Sequence, residues 1–296
     1  YCSRRQRQMC IRDRFIAFIF SLNTATAQDY FLENNGPYDN NIQSPEEYLG
    51  YEIGFEHTRH DLIVAYLKYL SNVSEKAQLI KYGESHEGRD LIMLTVSSTE
   101  NLNNLEKIKN EHLKHTVPGT KTKIDSSLPI IVNLGYGVHG NEPSSAEAAI
   151  LAAYTLVASK NNKVTRLIQN SVIFIDPTIN PDGRDRHSQW ANQYKSINLV
   201  ADSNDAEHNE AWPRGRTNHY WFDLNRDWLL GINPESRGKL EWYHSWYPNV
   251  VTDFHEMGTN SNYFFEPMKR NASVKPMIPD ENYSVLSPIF AEYYVK

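Results

Sequence analysis

The run Pro129-Ile130-Ile131-Val132-Asn133-Leu134 constrains this 296-residue chain more than any other stretch. It is almost continuously apolar and lacks the alternation of a half-wet strand, so it reads as a strand buried on both faces. Gly135-Tyr136-Gly137-Val138-His139-Gly140 ends it, and Pro143–Ser159 then reads as a helix through Ala146, Ala149, Ile150, Ala153, Leu156 and Val157. The pattern repeats downstream. Val172–Ile175 is a second buried strand, Pro234–Trp246 a helix with proline at its first position, and Val250–Phe254 a third strand running into His255. Alternating helices and apolar strands predict an α/β fold that delivers polar residues at the carboxyl ends of its strands.

Upstream, residues 28–50 read as an irregular lead-in rich in Asn, Pro, Gly and Tyr. Thr58 reads as the N-cap of a helix, with Asp61 three residues on and Leu62, Ile63, Tyr66, Tyr69 and Leu70 at helical spacing up to about Ser71. Ala77–Tyr82 and Leu91–Val96 form a hairpin around Gly83–Asp90, and a polar helix follows over Leu102–Lys114. The polar stretch 184–221 reads as a functional loop region rather than a linker. No internal repeat is visible.

The start of the chain has another character. Residues 1–14 carry five arginines, one acid and both cysteines, Cys2 and Cys10. They read as a basic n-region or as sequence foreign to the gene, alternatives that the junction leaves open. Phe15–Phe20 is a short apolar run, and Ala25-Thr26-Ala27 a small-residue stretch, which together make an export leader pattern over 1–27 with cleavage after about Ala27. The apolar run is too short to span a bilayer, so no integral membrane span is expected. The whole chain has 30 Lys+Arg against 36 Asp+Glu; without residues 1–27 the count is 25 against 35, a net −10 with no cysteine. Such a chain offers no basic field for nucleic acid and no Cys-rich zinc module. The pattern predicts an exported protein, periplasmic or secreted and bacterial, whose metal, if it has one, is held by His and carboxylate.

His139-Gly140-Asn141-Glu142 leaves the first buried strand, and a His and a Glu three apart in such a loop can turn toward one point. One H-x-x-E is about what chance supplies in a chain with eleven histidines. His255, at the end of another apolar strand, changes the weight of that pair. His139, Glu142 and His255 together make a His₂Glu set, which leaves a fourth zinc position open and so suits a hydrolytic rather than a structural metal. Phe222-Asp223-Leu224-Asn225-Arg226-Asp227-Trp228 adds a planar cation beside a neutral amide, and Asn225 and Arg226 can dock a substrate carboxylate.

Five pieces now stand in order: Gly83-Glu84-Ser85 with Glu87-Gly88-Arg89, His139–Glu142, Asn180-Pro181-Asp182-Gly183, Asp223–Arg226, and His255. Over about residues 50–296 they resemble the M14, carboxypeptidase A-like, family of zinc carboxypeptidases. The resemblance implies a mixed, largely parallel central sheet with helices on both faces, forming a catalytic domain over 51–296. It implies one zinc ion on His139, Glu142 and His255, with Asp223 as the acid that hydrogen-bonds the first His and fixes its tautomer. It implies Asn225 and Arg226 as the pair that binds the terminal carboxylate of a peptide substrate. Arg214 or Arg216 falls on the arginine that stabilises the oxyanion, with Arg216 preferred. The family's general base is a Glu many tens of residues beyond the third zinc ligand. Glu256, Glu266, Glu281 and Glu292 do not match it, so the resemblance implies a fragment, incomplete at its C-terminus, that binds zinc but turns over peptides poorly.

Weaker signals remain. His57-x-x-His60 and His112-x-x-His115 read as surface or capping histidines rather than metal pairs, and Asp202, Asp205, Glu207 and Glu210 as a solvated acidic loop rather than a calcium site. Asn180–Gly183 reads as a structural turn. Tyr220, Trp221, Trp242, Tyr243, Trp246 and Tyr247 fit either a cleft lining or core packing. Two functions compete with a zinc metallocarboxypeptidase. One is a zinc deacylase of the succinylglutamate desuccinylase/aspartoacylase type, which shares an HGNE-like loop; the other is a non-catalytic peptide- or glycan-binding module. The oligomeric state is not legible.

Overall fold

A computed structural model describes residues 27–117 and 125–258, and positions 284, 285, 288, 289 and 292. The leader pattern before Ala27, and Glu266 and Glu281, lie outside the described residues. The chain divides into two compact units, residues 1–255 and 256–296, and the sheet belongs to the first. In the second, residues 284, 285, 288, 289 and 292 are helical.

The first unit runs α1 (Ala27–Asn35), α2 (Pro45–Leu49), α3 (His60–Val73), β1 (Ala77–Glu84), β2 (Asp90–Val96), α4 (Thr99–Asn103) and α5 (Leu105–Leu113). It continues through β3 (Ile130–Tyr136), α6 (Pro143–Ala158), α7 (Asn162–Gln169), β4 (Ser171–Asp176), α8 (Pro181–Tyr194), α9 (Pro234–Trp246) and β5 (Val250–Phe254). Short 3₁₀ turns cover Ala206–His208 and Leu224–Arg226. The strands form one mixed sheet in the order β1-β2-β4-β3-β5. The β1–β2 and β2–β4 pairs are antiparallel, whereas β3 lies parallel to both β4 and β5.

The period-2 geometry of a strand explains the core. Every residue of β4 is buried. Ile173 and Ile175 face one layer with Ile92, Leu94 and Val96 of β2, against Ile63, Tyr66, Leu67 and Leu70 of α3 and Ala146, Ala149, Ile150 and Ala153 of α6. Val172 and Phe174 face the other layer with Met93 and Ile131, against Trp242 and Trp246 of α9 and Ile108 of α5. Helices therefore cover both faces, and each fully buried Leu, Ile or Phe contributes about 1.5–3 kcal/mol. Asp176, at the end of β4, is fully buried; burial pushes its carboxyl up, and Lys239 of α9, 2.9 Å away, opposes that shift. The parallel pairs place the ends of β3 and β5 side by side, with Tyr136 opposite Phe254. The loops that follow them carry His139 and His255.

Several local readings change. The stretch 28–50 contains α1 and α2, and the expected helix Leu102–Lys114 is two helices that break at Asn104. Helix α3 starts at His60, not after Thr58. Thr58 is buried instead, and its backbone NH and hydroxyl each donate to Glu147 at 2.8 Å. A side chain from a different helix caps α3, since the His60 NH donates to Asp185 Oδ1 at 2.8 Å. The largest change is α8. Asn180–Gly183, read as a structural turn, is the cap and first turn of a helix that reaches Tyr194 into the stretch read as loop, with Asn180 Oδ1 accepting from the Gly183 NH. Its buried face is polar, carrying Asp182, Arg184, His187 and Ser188, so hydrophobic periodicity could not reveal it.

Candidate metal centre

The β3 and β5 ends bring three donors to one point. His139 Nδ1 lies 2.8 Å from Glu142 Oε1, His255 Nδ1 lies 3.2 Å from Glu142 Oε2, and the two Nδ1 atoms are 3.2 Å apart. Among the described residues this is the one group of three His, Cys, Asp or Glu whose ligand atoms all fall within 4.8 Å of one another. Two donors on a tetrahedral zinc at about 2.0–2.1 Å stand about 3.3 Å apart. The spacing therefore fits that ion. The outer nitrogens are also tied as metal-binding imidazoles usually are: His139 Nε2 meets Asp223 Oδ1 at 2.9 Å, and His255 Nε2 meets Asp253 Oδ2 at 2.9 Å. Asp253 and then Glu142 raise the His255 pKa to about 10 against the opposing effect of burial. The pull that holds a proton there is the pull a divalent cation would meet.

Asp223 joins the metal point to Arg216. Its second oxygen accepts from Arg216 Nη2 at 2.9 Å, and Arg216 Nη1 lies 3.3 Å from His139 Nδ1 and 3.7 Å from Glu142. Burial works against the Asp223 charge, yet the bonds from His139 and Arg216 prevail and hold its carboxyl below the usual range. Arg214 stands differently. It is exposed, sits in the left-handed backbone region at φ 62°, and offers its carbonyl to Arg186 Nη1 at 2.8 Å. Of the two arginines, only Arg216 reaches the donor cluster among the contacts seen here.

Asn225 and Arg226 lie on the 3₁₀ turn that Asp223 caps through the Asn225 NH. The Asn225 amide is held between Trp228 Nε1, 3.1 Å from its oxygen, and His255 Nε2, 3.4 Å from its nitrogen. Arg226 is exposed and donates to the Asn225 carbonyl at 3.0 Å.

Three loops meet behind the donors with no room for side chains. A Cβ on Gly140 would enter the backbone of Gly183 and Arg184, one on Gly183 would meet the Gly215 and Thr217 carbonyls, and one on Gly215 would strike His187 and Gly183. The ligand loop, the start of α8 and the Arg216 loop are thus stacked backbone on backbone. Glu210 fastens the same three loops. It accepts from Asn141 Nδ2 at 2.9 Å and from the Gly215 NH at 3.0 Å, and it pairs with His187 Nδ1 at 2.8 Å. Burial acts against its charge, but these three partners outweigh it and keep the carboxyl below its ordinary range. Glu210 therefore does not belong to a solvated loop. Asp202 and Asp205 do cap local turns.

The other ordered motifs interlock as well. Ser85 Oγ donates to Asp182 at 2.6 Å, and Arg89 pairs with both Asp182 and Asp185, so the β1–β2 turn is pinned to the start of α8. On the opposite side of α8, Arg184 pairs with Glu147 at 2.5 Å and donates to the Thr58 carbonyl at 2.9 Å. The histidine pairs divide, with His115 exposed as expected and the others wholly or partly covered. His60 Nε2 bonds the Asp90 carbonyl, His112 Nε2 bonds the Tyr247 carbonyl, and both are buried; His57 packs its ring against His187. Trp242 and Trp246 are core, while Tyr220 and Trp221 are exposed. Sequence reasoning does not reach Glu210, Glu147 and Arg184 as supports, because all but one of the partners named here lie 23 to 126 residues away.

The sequence matches the peptidase M14 zinc carboxypeptidase family model over residues 63–275. It is 23% identical to the carboxypeptidase N catalytic chain of Homo sapiens over 263 residues, which cover 81% of this chain and 52% of that one. It is 27% identical to carboxypeptidase Z of Mus musculus over 179 residues, covering 59% of this chain and 22% of that one. The chain spans about half the length of the carboxypeptidase N chains it matches. A solved structure, the carboxypeptidase A from Helicoverpa armigera, aligns with a TM-score of 0.41 at 18% identity, over 68% of this chain and 46% of that chain.

Proposed function

We propose, for a chain that belongs to the zinc carboxypeptidase family, that it removes the C-terminal residue of peptides with one zinc ion held by His139, Glu142 and His255. The observation that carries this reading is the convergence of those three donors, each histidine turned outward onto a carboxylate. Zinc in a three-ligand site of this kind supplies an activated water and polarises the carbonyl to be attacked.

The chain's own residues do the rest. Asp223 orients His139 and at the same time holds Arg216 over the ligand cluster. A guanidinium kept there is pre-aimed at negative charge developing on the substrate carbonyl oxygen, a contribution that grows in the transition state. Asn225 stands beside His255 with its amide fixed, and the exposed Arg226 fork next to it suits the free carboxylate of a peptide end. A substrate held between that fork and the metal point has its last peptide bond in reach of the chemistry. That is why an exopeptidase acting on the carboxyl end is favoured over a deacylase or a bare binding module. Among the described residues no helix is long and apolar enough to cross a membrane.

The test is zinc content and C-terminal release measured together. One zinc per chain, lost in His139→Ala, with slow release of free amino acid from peptides that a chelator suppresses, is the expected result. Release that ignores the chelator, or cleavage of N-acyl amino acids in preference to peptides, would overturn the reading.

A further inference from the structure

Two contacts between side chains join the loops that carry Arg216 and Asp223. One contact is the Arg216–Asp223 ion pair at 2.9 Å, beside the donor cluster. The other is a ring pair, Trp212 with Trp221, whose centroids are 4.6 Å apart at an interplanar angle of 57°. Trp212 is 75% exposed, Tyr220 60%, Trp221 58% and Phe222 50%. Trp221 stands two residues before Asp223, so their Cα atoms are at most about 7 Å apart. The exposed rings are therefore carried on the same short segments as Arg216 and Asp223, with Trp212 four residues before the one and Trp221 two before the other.

The turn that displays them is tightly fixed. Asn218 is fully buried; its Oδ1 accepts from the Tyr220 and Phe222 NH groups, and its own NH donates to the Phe222 carbonyl. Arg186 of α8 binds the carbonyls of Arg214, Thr217 and Asn218, fastening the Arg216 segment to that helix. Trp221 lies in the left-handed region at φ 65° and Arg214 at φ 62°. A bulky residue there costs about 1–3 kcal/mol and persists only where surrounding bonds impose it. Large apolar rings held rigidly in water, beside a site, mark an interaction surface rather than chance exposure.

We propose that the Trp212–Trp221 pair, with Tyr220 and Phe222 beside it, docks an apolar or aromatic side chain of a peptide substrate on the N-terminal side of the bond to be cleaved. This rests on the carboxypeptidase reading above. A carboxypeptidase substrate has one residue beyond the scissile bond, and that residue lies between the carboxylate fork and the metal. Surface that lies across the metal from that fork meets the remainder of the peptide. The 57° tilt makes the pair a wedge that receives one side chain, not a flat plate of the kind on which sugar rings stack.

Equilibrium binding to the zinc-loaded protein separates this proposal from the reading beneath it. The probes are tetrapeptides that share a C-terminal residue, joined through an uncleavable ketomethylene link, and carry Phe or Gly at the upstream positions, each as free carboxylate and as amide. The expected result is about tenfold tighter binding of the Phe peptide, with the preference lost in the double variant Trp212→Ala/Trp221→Ala and the Gly peptide unaffected. Equal affinity for Phe and Gly peptides, or a preference that survives the double variant, overturns the proposal. So does binding of an amino-sugar oligomer that needs the tryptophans while the peptides show no preference. Loss of the distinction between carboxylate and amide instead overturns the carboxypeptidase reading, whatever the rings do.

Discussion

His139 and Asp223 lie 84 residues apart in sequence and meet Nε2 to Oδ1 at 2.9 Å. That single contact turns Nδ1 of the imidazole toward Glu142 and His255, and the other oxygen of the same carboxylate holds Arg216. One residue thus sets both the direction of a metal ligand and the position of a cation over it.

Replacing Asp223 is expected to weaken zinc binding without removing a ligand. Partners that orient a metal-binding imidazole typically account for about 10–100-fold in affinity. Asp223→Ala is expected to lose that factor in a competition titration against a chromogenic chelator, with zinc stoichiometry still one at saturation. His139→Ala is expected to lose the ion. An Asp223→Ala affinity within about threefold of the parent would refute the orienting role.

Glu210 gives a second, separable expectation. Its carboxylate satisfies Asn141, the Gly215 NH and His187 at once, in a partly buried place. Glu210→Ala leaves those donors without that acceptor, at a cost of about 1–3 kcal/mol for each buried group left unsatisfied. Because Asn141 belongs to the ligand loop, zinc affinity is expected to fall along with stability, as read by urea unfolding and chelator competition. A loss of stability with unchanged zinc affinity would show that Glu210 supports the fold but does not position the ligand loop.

These two residues also mark the limit of what the sequence alone discloses. His139, Glu142 and His255 were legible because each sits just beyond an apolar strand, and strand ends converge in a sheet with parallel neighbours. That Asp223, Arg216 and Asn225 come close to the donors was legible only through the order of motifs. Glu210 was not, since its importance depends on a fold-back onto Asn141 that no local pattern encodes. Helix α8 was hidden for a related reason. Its buried face uses Asp182, Arg184 and His187, paired with Arg89, Glu147 and Glu210, where hydrophobic periodicity expects Leu or Ile. Helix α9 is legible at its start because Pro234 marks its first position, while the core role of Trp242 and Trp246 is visible only in the fold.

The stacked glycines predict an intolerance that composition does not suggest. A Cβ on Gly183 would meet the Gly215 and Thr217 carbonyls and the Asn180 side chain within the closest-packed part of the site. Overpacking typically costs about 1–3 kcal/mol, and here the obstacles are mostly backbone, which cannot rotate away. Gly183→Ala is therefore expected at or above the upper end of that range by urea unfolding. A variant within about 0.5 kcal/mol of the parent would mean that the three loops are not packed as described.

A last expectation concerns pH. Burial, and then the charges of His187, Arg184 and Lys195, lower the His57 pKa from 6.5 to about 3, against a smaller opposing pull from Glu210. In the folded protein His57 stays neutral through mildly acidic pH, while in the unfolded chain it takes up a proton below about 6.5. The unfolded state then binds more protons, so His57 stabilises the fold fully above about pH 6.5 and progressively less as the pH falls toward 3. The slope is about 1.4 kcal/mol per pH unit for one proton. Asp223 and Glu210, whose carboxyls are held below their usual range, stay ionised between pH 5 and 6.5, whereas Asp176 and Glu235, pushed up by burial, and His255, held up by Asp253 and Glu142, form a background common to parent and variant. His60, also depressed by burial, adds to the slope. Both backbone groups of His57 bond to the Asn192 side chain at 2.9 Å, so His57→Asn keeps the main chain anchored. Urea unfolding at pH 5.0, 5.5, 6.0 and 6.5 is expected to show a slope smaller in His57→Asn than in the parent, by as much as one proton at the acidic end; identical slopes would place His57 in water rather than in the interior.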